Sequence, residues 1–129
     1  AYRRTALPAG FAVTAVRFRL SPGATQAVRA RMAEARARRT ASQPHGWANA
    51  GSIFKNPPGD FAGRLVEAAG LKGTRIGGAR VSEAHANFIV NDGAARAADV
   101  QALMQQAQRV VWERSGVWLE PEVRLIGSW

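Results

Sequence analysis

One serine stands in the stretch of the sequence that is richest in residues able to do chemistry. Ser52 lies in AGSIFKNP, residues 50–57, where a glycine precedes it and Lys55 and Asn56 follow it closely. A serine hydroxyl becomes a nucleophile when a base activates it, but Ser52 lacks the GxSxG elbow of hydrolases and no Ser/His/Asp order is apparent. These residues alone favour a loop serine that forms hydrogen bonds.

Four other titratable side chains are candidates for acid–base or ligand-binding chemistry. Glu120 and Glu122 alternate with Pro121, so both carboxylates can point to one face of an extended segment. Such a face suits a positioned acid, and exposed glutamates at a sheet edge are the alternative. His85 can donate to a phosphate or a sugar hydroxyl, or serve as a structural histidine. His45 is expected to be exposed in a loop, and two histidines without paired spacing make a poor metal site.

The charge of the chain favours anionic partners. The 129 residues carry a formal charge of +9, which suits phosphorylated small molecules, nucleic acid or a membrane surface. Five arginines of one predicted helix form a basic cluster, but no nucleic-acid-binding motif accompanies them, and a solvated helix face is the better interpretation. These arginines are Arg29, Arg31, Arg36, Arg38 and Arg39.

Several classes of function are excluded by composition. The chain contains no cysteine, so disulfides, zinc–thiolate sites and thiol catalysis are ruled out. Gly77 and Gly78 lack the lysine and hydroxyl residue of a P-loop and indicate a turn. No apolar run reaches membrane-spanning length and no signal peptide is visible, which predicts an intracellular protein without membrane contact. Because Ala1 is not an initiator methionine, we expect a processed or truncated chain.

Three helices are predicted to position these residues. Ser21 and Pro22 can start the first helix, and Asp60 can cap the second. The third begins at Asp99, carries apolar residues at helical spacing and ends at Gly116. The predicted helices span residues 24–39, 61–69 and 99–115.

Three strand-like segments accompany the helices and predict an α+β fold with a small mixed sheet. Phe11–Leu20 has strand composition, with alternate apolar residues on one face. Residues 87–91, NFIVN, indicate a short buried strand. Residues 117–126, VWLEPEVRLI, indicate another, in which Pro121 favours an edge position or a bulge.

Three stretches together resemble the C-terminal part of UDP-N-acetylenolpyruvoylglucosamine reductases. They are AGSIFKNP at 50–57, AGLKGTRIGGARVSEAHANFIVN at 69–91 and LEPEVRLIG at 119–127, and the similarity runs from Tyr2 to about Gly127. The resemblance implies a cytoplasmic flavoenzyme of peptidoglycan synthesis that converts UDP-N-acetylglucosamine enolpyruvate to UDP-N-acetylmuramate. NADPH reduces FAD in this family, the flavin delivers a hydride to the enol ether, and the neighbouring carbon then receives a proton.

The resemblance also assigns the catalytic roles. The family's proton donor falls on Ser52, and its second acid falls on Glu122, with Glu120 as the second choice. The arginine of the family's YRxS motif falls on Arg3, and Thr5 replaces the serine of that motif. An enolate-like species between hydride and proton transfer needs these three roles: a proton donor, a cation and a second acid.

Five further residues are assigned to substrate binding or to its immediate support. Asn56 matches the asparagine of FKNP, Lys72 the lysine of the LKG segment, and His85 a polar position that contacts substrate in relatives. Tyr2 belongs to the same motif as Arg3. Lys55 is close enough in sequence to stabilise a Ser52 alkoxide, which is an inference from spacing rather than a family property.

The resemblance divides the chain at residue 20. Residues 1–20 correspond to the C-terminal tail of the FAD-binding region, and residues 21–129 to the UDP-sugar-binding domain. The region that holds FAD precedes the YRxS motif, so we expect the chain alone to bind no FAD, to be colourless and to be inactive. Its expected partners are the UDP-sugar and the missing region, without metal or nucleic acid. The alternative is a non-catalytic basic module that binds phosphorylated ligands or nucleic acid.

Overall fold

The structure, a computed structural model, describes residues 6–8 and 10–127. Its helices and strands confirm the predicted α+β class with three helices. In chain order they are α1 (Thr25–Ser42), β1 (Ala48–Ser52), α2 (Ala62–Ala68), β2 (Arg75–Ile76), β3 (Ala79–Val81), β4 (Phe88–Asn91) and α3 (Ala97–Ser115). Two compact units are distinguished, one up to Arg36 and one from Ala37. The division at residue 20 stays a prediction.

The four strands form one sheet in the order β1-β4-β3-β2. Each pairing is antiparallel, so the sheet is not mixed as expected. For β2 and β3 the reason is the connection, which consists of Gly77 and Gly78 alone, whereas parallel strands need a crossover of a dozen residues or more. β4 is central, because it pairs with β1 on one edge and with β3 on the other.

The core lies between the sheet and helices α2 and α3. Helix α3 contacts β2, β3 and α2. Its apolar residues recur every three or four positions and therefore share the face that is turned to the core. The largest fully buried side chains are Ile53, Val66, Val90, Leu103, Val111 and Leu119.

Helix α3 is bounded by a carboxylate and a glycine. The Asp99 carboxylate accepts a hydrogen bond from the backbone N–H of Arg96, the N-cap residue, at 2.9 Å. The helix thus begins two residues before Asp99, the start predicted from the sequence. Gly116 ends it with a φ of 67°, a left-handed conformation that glycine adopts without a steric penalty. This end matches the prediction.

Two predicted strands are not formed as expected. Phe11–Leu20 carries no strand pairing, and the side chains of this segment are exposed. A strand needs a partner for its backbone groups, and no other part of the described chain pairs with it. In residues 117–126 the only ladder contact is an isolated bridge between Phe54 and Pro121. Among the described residues, no helix is long and apolar enough to cross a membrane.

Candidate functional site

Ser52 lies at the end of β1, directly after a β-bulge. The register of the β1–β4 pairing shifts between Asn49 and Ser52. Gly51 has a φ of 82°, and its N–H donates to the Asn49 Oδ1 at 3.0 Å. A bulge redirects the side chain that follows it, and a left-handed backbone conformation within the bulge favours glycine at that position. The conformation of the bulge thus explains why Gly51 precedes Ser52.

Ser52 lines a cavity of about 340 Å³, which we call the serine cavity. This cavity brings together Ser52, Asn56 and His85, three of the residues singled out from the sequence. Its other lining residues come from α2 and from the loop before β4: Phe61, Gly63, Arg64, Glu67, Ala84, Ala86 and Asn87. One volume therefore joins residues from three separate stretches of the sequence, and its size suits a part of a small-molecule ligand.

His85 is held in a defined orientation at this cavity. Its Nδ1 accepts a hydrogen bond from the Asn87 backbone N–H at 3.1 Å, and its ring meets the Phe88 ring edge-on at 5.0 Å. Burial lowers the pKa of His85, the Lys72 ammonium lowers it further, and the Glu67 carboxylate opposes both effects. Because Nδ1 is an acceptor, the neutral ring carries its proton on Nε2 and offers that N–H as a donor.

Asn56 has a structural contact as well as a place at the cavity. Its Oδ1 accepts the backbone N–H of Ala62, the first residue of α2, at 3.0 Å. The Asp60 carboxylate accepts the N–H of Phe61 at 2.6 Å. These two side chains satisfy backbone donors at the start of α2. The N-cap residue is Phe61, one position after the predicted Asp60, and it receives no side-chain capping bond. The amide NH₂ of Asn56 is the group that it can offer to a ligand.

Charged groups of both signs stand around α2. Lys72 does not line the serine cavity, but its Nζ lies 2.7 Å from the Oε1 of Glu67, which does. Arg64 also lines the cavity and forms an ion pair with Asp60, which lowers the pKa of the Asp60 carboxyl to about 2. Two cations and two carboxylates thus compensate one another here, and an anionic ligand would compete with the carboxylates for the cations.

Glu122 lies opposite the segment that follows Ser52. Its backbone N–H donates to the carbonyl of Ile53 at 2.7 Å, beside the bridge between Phe54 and Pro121. Glu122 is therefore placed across from the residue after Ser52, although seventy positions separate the two in the sequence. Its Oε2 atom is shielded from solvent. Glu122 does not line the serine cavity, and it is the backbone pairing with Ile53 that connects it to the residue next to Ser52.

Lys55 and Glu120 form the second backbone hydrogen bond that flanks the bridge between Phe54 and Pro121. The Lys55 N–H donates to the Glu120 carbonyl at 2.9 Å, and the two side chains form an ion pair. Neither residue lines the serine cavity. The ammonium of Lys55 is thus committed to a carboxylate, and its predicted influence on the acidity of Ser52 stays a prediction.

Comparison with known proteins identifies the family. A family model described as "UDP-N-acetylenolpyruvoylglucosamine reductase, C-terminal domain" matches residues 43–126. The chain belongs to this family. The match covers AGSIFKNP, the loop that carries His85 and the segment that carries Glu122, and so includes each residue of the site described above.

Reductases from several bacteria resemble nearly the whole chain. The chain is 50% identical over 127 residues, or 98% of its length, to a UDP-N-acetylenolpyruvoylglucosamine reductase of Alkalilimnicola ehrlichii. It is 53% identical over 128 residues, or 99% of its length, to one of Anaeromyxobacter dehalogenans. It covers 43% and 39% of those relatives, about two fifths of their length. The crystal structure of a Thermus caldophilus reductase matches 81% of the chain and 37% of its own, with 44% identity and a TM-score of 0.67.

Two residues that the reductase resemblance assigns lie outside the described part of the chain. Tyr2 and Arg3 precede residue 6, the first that the structure describes. Their assigned roles in substrate binding and enolate stabilisation therefore stay predictions. The other assigned residues (Ser52, Lys55, Asn56, Lys72, His85 and Glu122) are all described.

Gly77 and Gly78 do not form a glycine-rich cradle for the diphosphate of the flavin that the reductase family implies. Gly77 and Gly78 make the tight β2–β3 turn, and a Cβ on Gly78 would lie 2.3 Å from the backbone nitrogen of Ala95. This glycine pair is thus packed under the chain before α3 and leaves no room for a diphosphate. Within residues 6–8 and 10–127, no group of three or more metal-ligating side chains comes together.

Asn87 is the main site residue that sequence reasoning missed. Its buried side chain accepts from the Phe54 N–H at 2.9 Å and donates to the Phe54 carbonyl at 2.8 Å. Its own carbonyl accepts the Ile53 N–H at 2.9 Å. Asn87 thus fixes the backbone directly after Ser52 to the loop of His85. The available signal was a polar residue at the head of the apolar run NFIVN.

Proposed function

We propose that this chain is the substrate-binding and proton-delivering portion of a reductase that converts UDP-N-acetylglucosamine enolpyruvate to UDP-N-acetylmuramate in peptidoglycan synthesis. The observation that carries the proposal is the serine cavity, which brings Ser52, Asn56 and His85 together. The hydrogen bond from Glu122 to Ile53, the residue after Ser52, supports it. FAD and NADPH would supply the two electrons in the complete enzyme. No described residue is assigned to the flavin, and the steps below concern this chain's own side chains.

Ser52 is the proposed proton donor. When the carbon beside the substrate carboxylate carries negative charge, the Ser52 O–H bond breaks, a C–H bond forms and an alkoxide remains. A serine hydroxyl is a weak acid, so the alkoxide must be stabilised or reprotonated at once. Glu122 is the proposed second acid because it matches the glutamate of the family's PEVRxIG segment, and its backbone pairing with the residue after Ser52 supports this role. Arg3 is the proposed cation that stabilises the enolate.

The substrate's polar groups are assigned to the remaining residues of the site. His85 offers an N–H at Nε2, and Asn56 offers its amide NH₂ to the serine cavity. Lys72 supplies an ammonium suited to a phosphate oxygen, in exchange for its ion pair with Glu67. Neutral donors and a compact cation fit a sugar diphosphate better than they fit an apolar ligand.

The domain division belongs to the same proposal. Residues 1–20 are assigned to the end of the FAD-binding region, and residues 21–129 to the substrate-binding domain. The exposure of apolar side chains in Phe11–Leu20, such as Phe18 at 76%, supports this assignment. A segment of strand composition without a strand partner fits a position against another part of a longer reductase.

The test is Ser52→Ala in a full-length reductase that contains this chain. Stopped-flow absorbance of the flavin separates its reduction by NADPH from its reoxidation by the UDP-sugar. We expect reoxidation to slow by about 10²- to 10⁴-fold, because a positioned proton donor is lost, while reduction by NADPH keeps its rate. Ser115→Ala, at the end of α3, is the control and should alter neither rate. Equal slowing of both half-reactions would reject Ser52 as the proton donor.

A further inference from the structure

We propose that Gly63 is a positioning residue that sets the His85 imidazole in the serine cavity. Gly63 lies in α2 and lines the same cavity as His85. Because it has no side chain, the ring can rest directly against the helix. The inference depends on the proposed role of His85 in binding the UDP-sugar.

The space above Gly63 is filled by the imidazole. A Cβ at this position would lie 2.8 Å from the His85 Cε1 and 3.3 Å from its Nδ1. A separation of 2.8 Å between two carbon atoms is well inside van der Waals contact, so one group would have to move. The imidazole is the end of a rotatable side chain, whereas Gly63 is part of a helical backbone. An added methyl group would therefore displace the ring.

The ring has little freedom to move without losing its orientation. The Asn87 N–H donates to Nδ1 at 3.1 Å, and the Phe88 ring lies 5.0 Å away on an edge-on approach. A ring pushed away from α2 stretches or breaks the bond to Asn87. That bond places the proton on Nε2, so its loss removes the fixed donor from the serine cavity. Gly63 and Asn87 thus hold the imidazole from two sides.

Glycine at this helical position has no other local explanation. Gly63 is absent from the glycines with positive φ, so its backbone conformation suits any residue. Glycine is among the weakest helix formers, and alanine the strongest. Gly63 is the second residue of α2, so helix formation does not call for glycine there, and the space that it leaves for His85 accounts for its presence.

The experiment compares Gly63→Ala, His85→Gln and the double variant in the full-length reductase. We expect Gly63→Ala to raise KM for the UDP-sugar about three- to tenfold, as expected for one lost hydrogen bond, with flavin reduction by NADPH unchanged. His85→Gln should raise KM to a similar extent, and the double variant should bind no worse than His85→Gln. Gly23→Ala, a glycine without positive φ that does not line the cavity, is the matched control.

A second measurement follows the imidazole itself. Long-range ¹H–¹⁵N NMR spectra distinguish the two tautomers, and Gly63→Ala should reduce the Nε2–H form of His85. An unchanged KM in Gly63→Ala beside an impaired His85→Gln would overturn the Gly63 inference alone. Fully additive increases in the double variant would also overturn it, since Gly63 would then act on the cavity and not through His85. An unchanged KM in His85→Gln would overturn the binding role of His85 and the inference with it.

Discussion

Two apolar segments of this chain have similar compositions and different structures. Phe11–Leu20 and Phe88–Asn91 are both rich in aromatic and branched residues. The second is the central strand β4, in which Val90 is 1% exposed, whereas the first carries no strand, and its Leu20 is 84% exposed. β4 has a partner on each edge, and Phe11–Leu20 has none in the described chain. Strand composition therefore produces a strand only where a partner satisfies the backbone.

Helices α1 and α3 also differ in how far their side chains are buried. No residue of α1 is buried, although the helix has 18 residues. Five residues of α3 are buried, in a helix of 19. Alanine and arginine favour α1 through intrinsic propensity, while α3 is stabilised by packing of its apolar face. Helices tolerate the absence of a partner better than strands because their hydrogen bonds are internal.

The largest expected effect comes from placing the same charge in each apolar segment. Ile89→Asp would bury a carboxylate in the apolar core opposite Val81 and should destabilise the fold by more than about 4 kcal/mol. Val16→Asp, at a side chain that is 65% exposed, should change stability by no more than about 0.5 kcal/mol. Urea unfolding followed by circular dichroism measures both. A strongly destabilised Val16→Asp would show that Phe11–Leu20 is packed in the isolated chain.

An intermediate effect is expected at the junction that fixes β4 to the site. Asn87→Ala removes both partners of the buried Phe54 backbone and should cost about 2–4 kcal/mol. Asn49→Ala, at an exposed asparagine that also bonds the backbone, is the matched control and should cost less than about 1 kcal/mol. The same unfolding curves test this pair. Equal losses of unfolding free energy in the two variants would mean that burial adds nothing to the stabilisation by the Asn87 hydrogen bonds.

The smallest effect is expected at the ion pair before α2. The pKa of Asp60 is lowered to about 2 by the hydrogen bond from Arg64, so this pair stabilises the fold above pH 4. The contribution is lost as the pH falls through 2, where the carboxylate becomes protonated. Stability of the wild type and of Asp60→Asn, measured by thermal unfolding from pH 5 to 2, should converge at the acidic end. A constant difference over this range would contradict the assignment.

Local sequence patterns predicted much of the fold and singled out two polar residues of the candidate site. Helix α3 follows from the spacing of its apolar residues, and its end follows from Gly116. Ser52 and His85 were singled out by residue type and motif, and the structure places both at one cavity. Each of these predictions depends on neighbours within a few positions or on a familiar motif, which a single sequence contains.

The residues that hold the site together were not predictable in the same way. Asn87 acts on Phe54, and Gly63 leaves room for His85. Each contact joins segments more than twenty positions apart, and nothing in the local sequence names the partner. The strand predicted for Phe11–Leu20 is not formed for the same physical reason: the sequence shows propensity and does not show whether a partner is present.

The bond between the Glu122 N–H and the Ile53 carbonyl has a consequence for synthesis of the protein. It closes a loop of about seventy residues, so it belongs to the contacts that form late in folding, after local helices and hairpins. A ribosome makes Ser52 long before Glu122. The serine and its proposed acid can therefore meet only after the seventy residues that follow Ser52 have been made, and until then the nascent chain carries the serine without the acid.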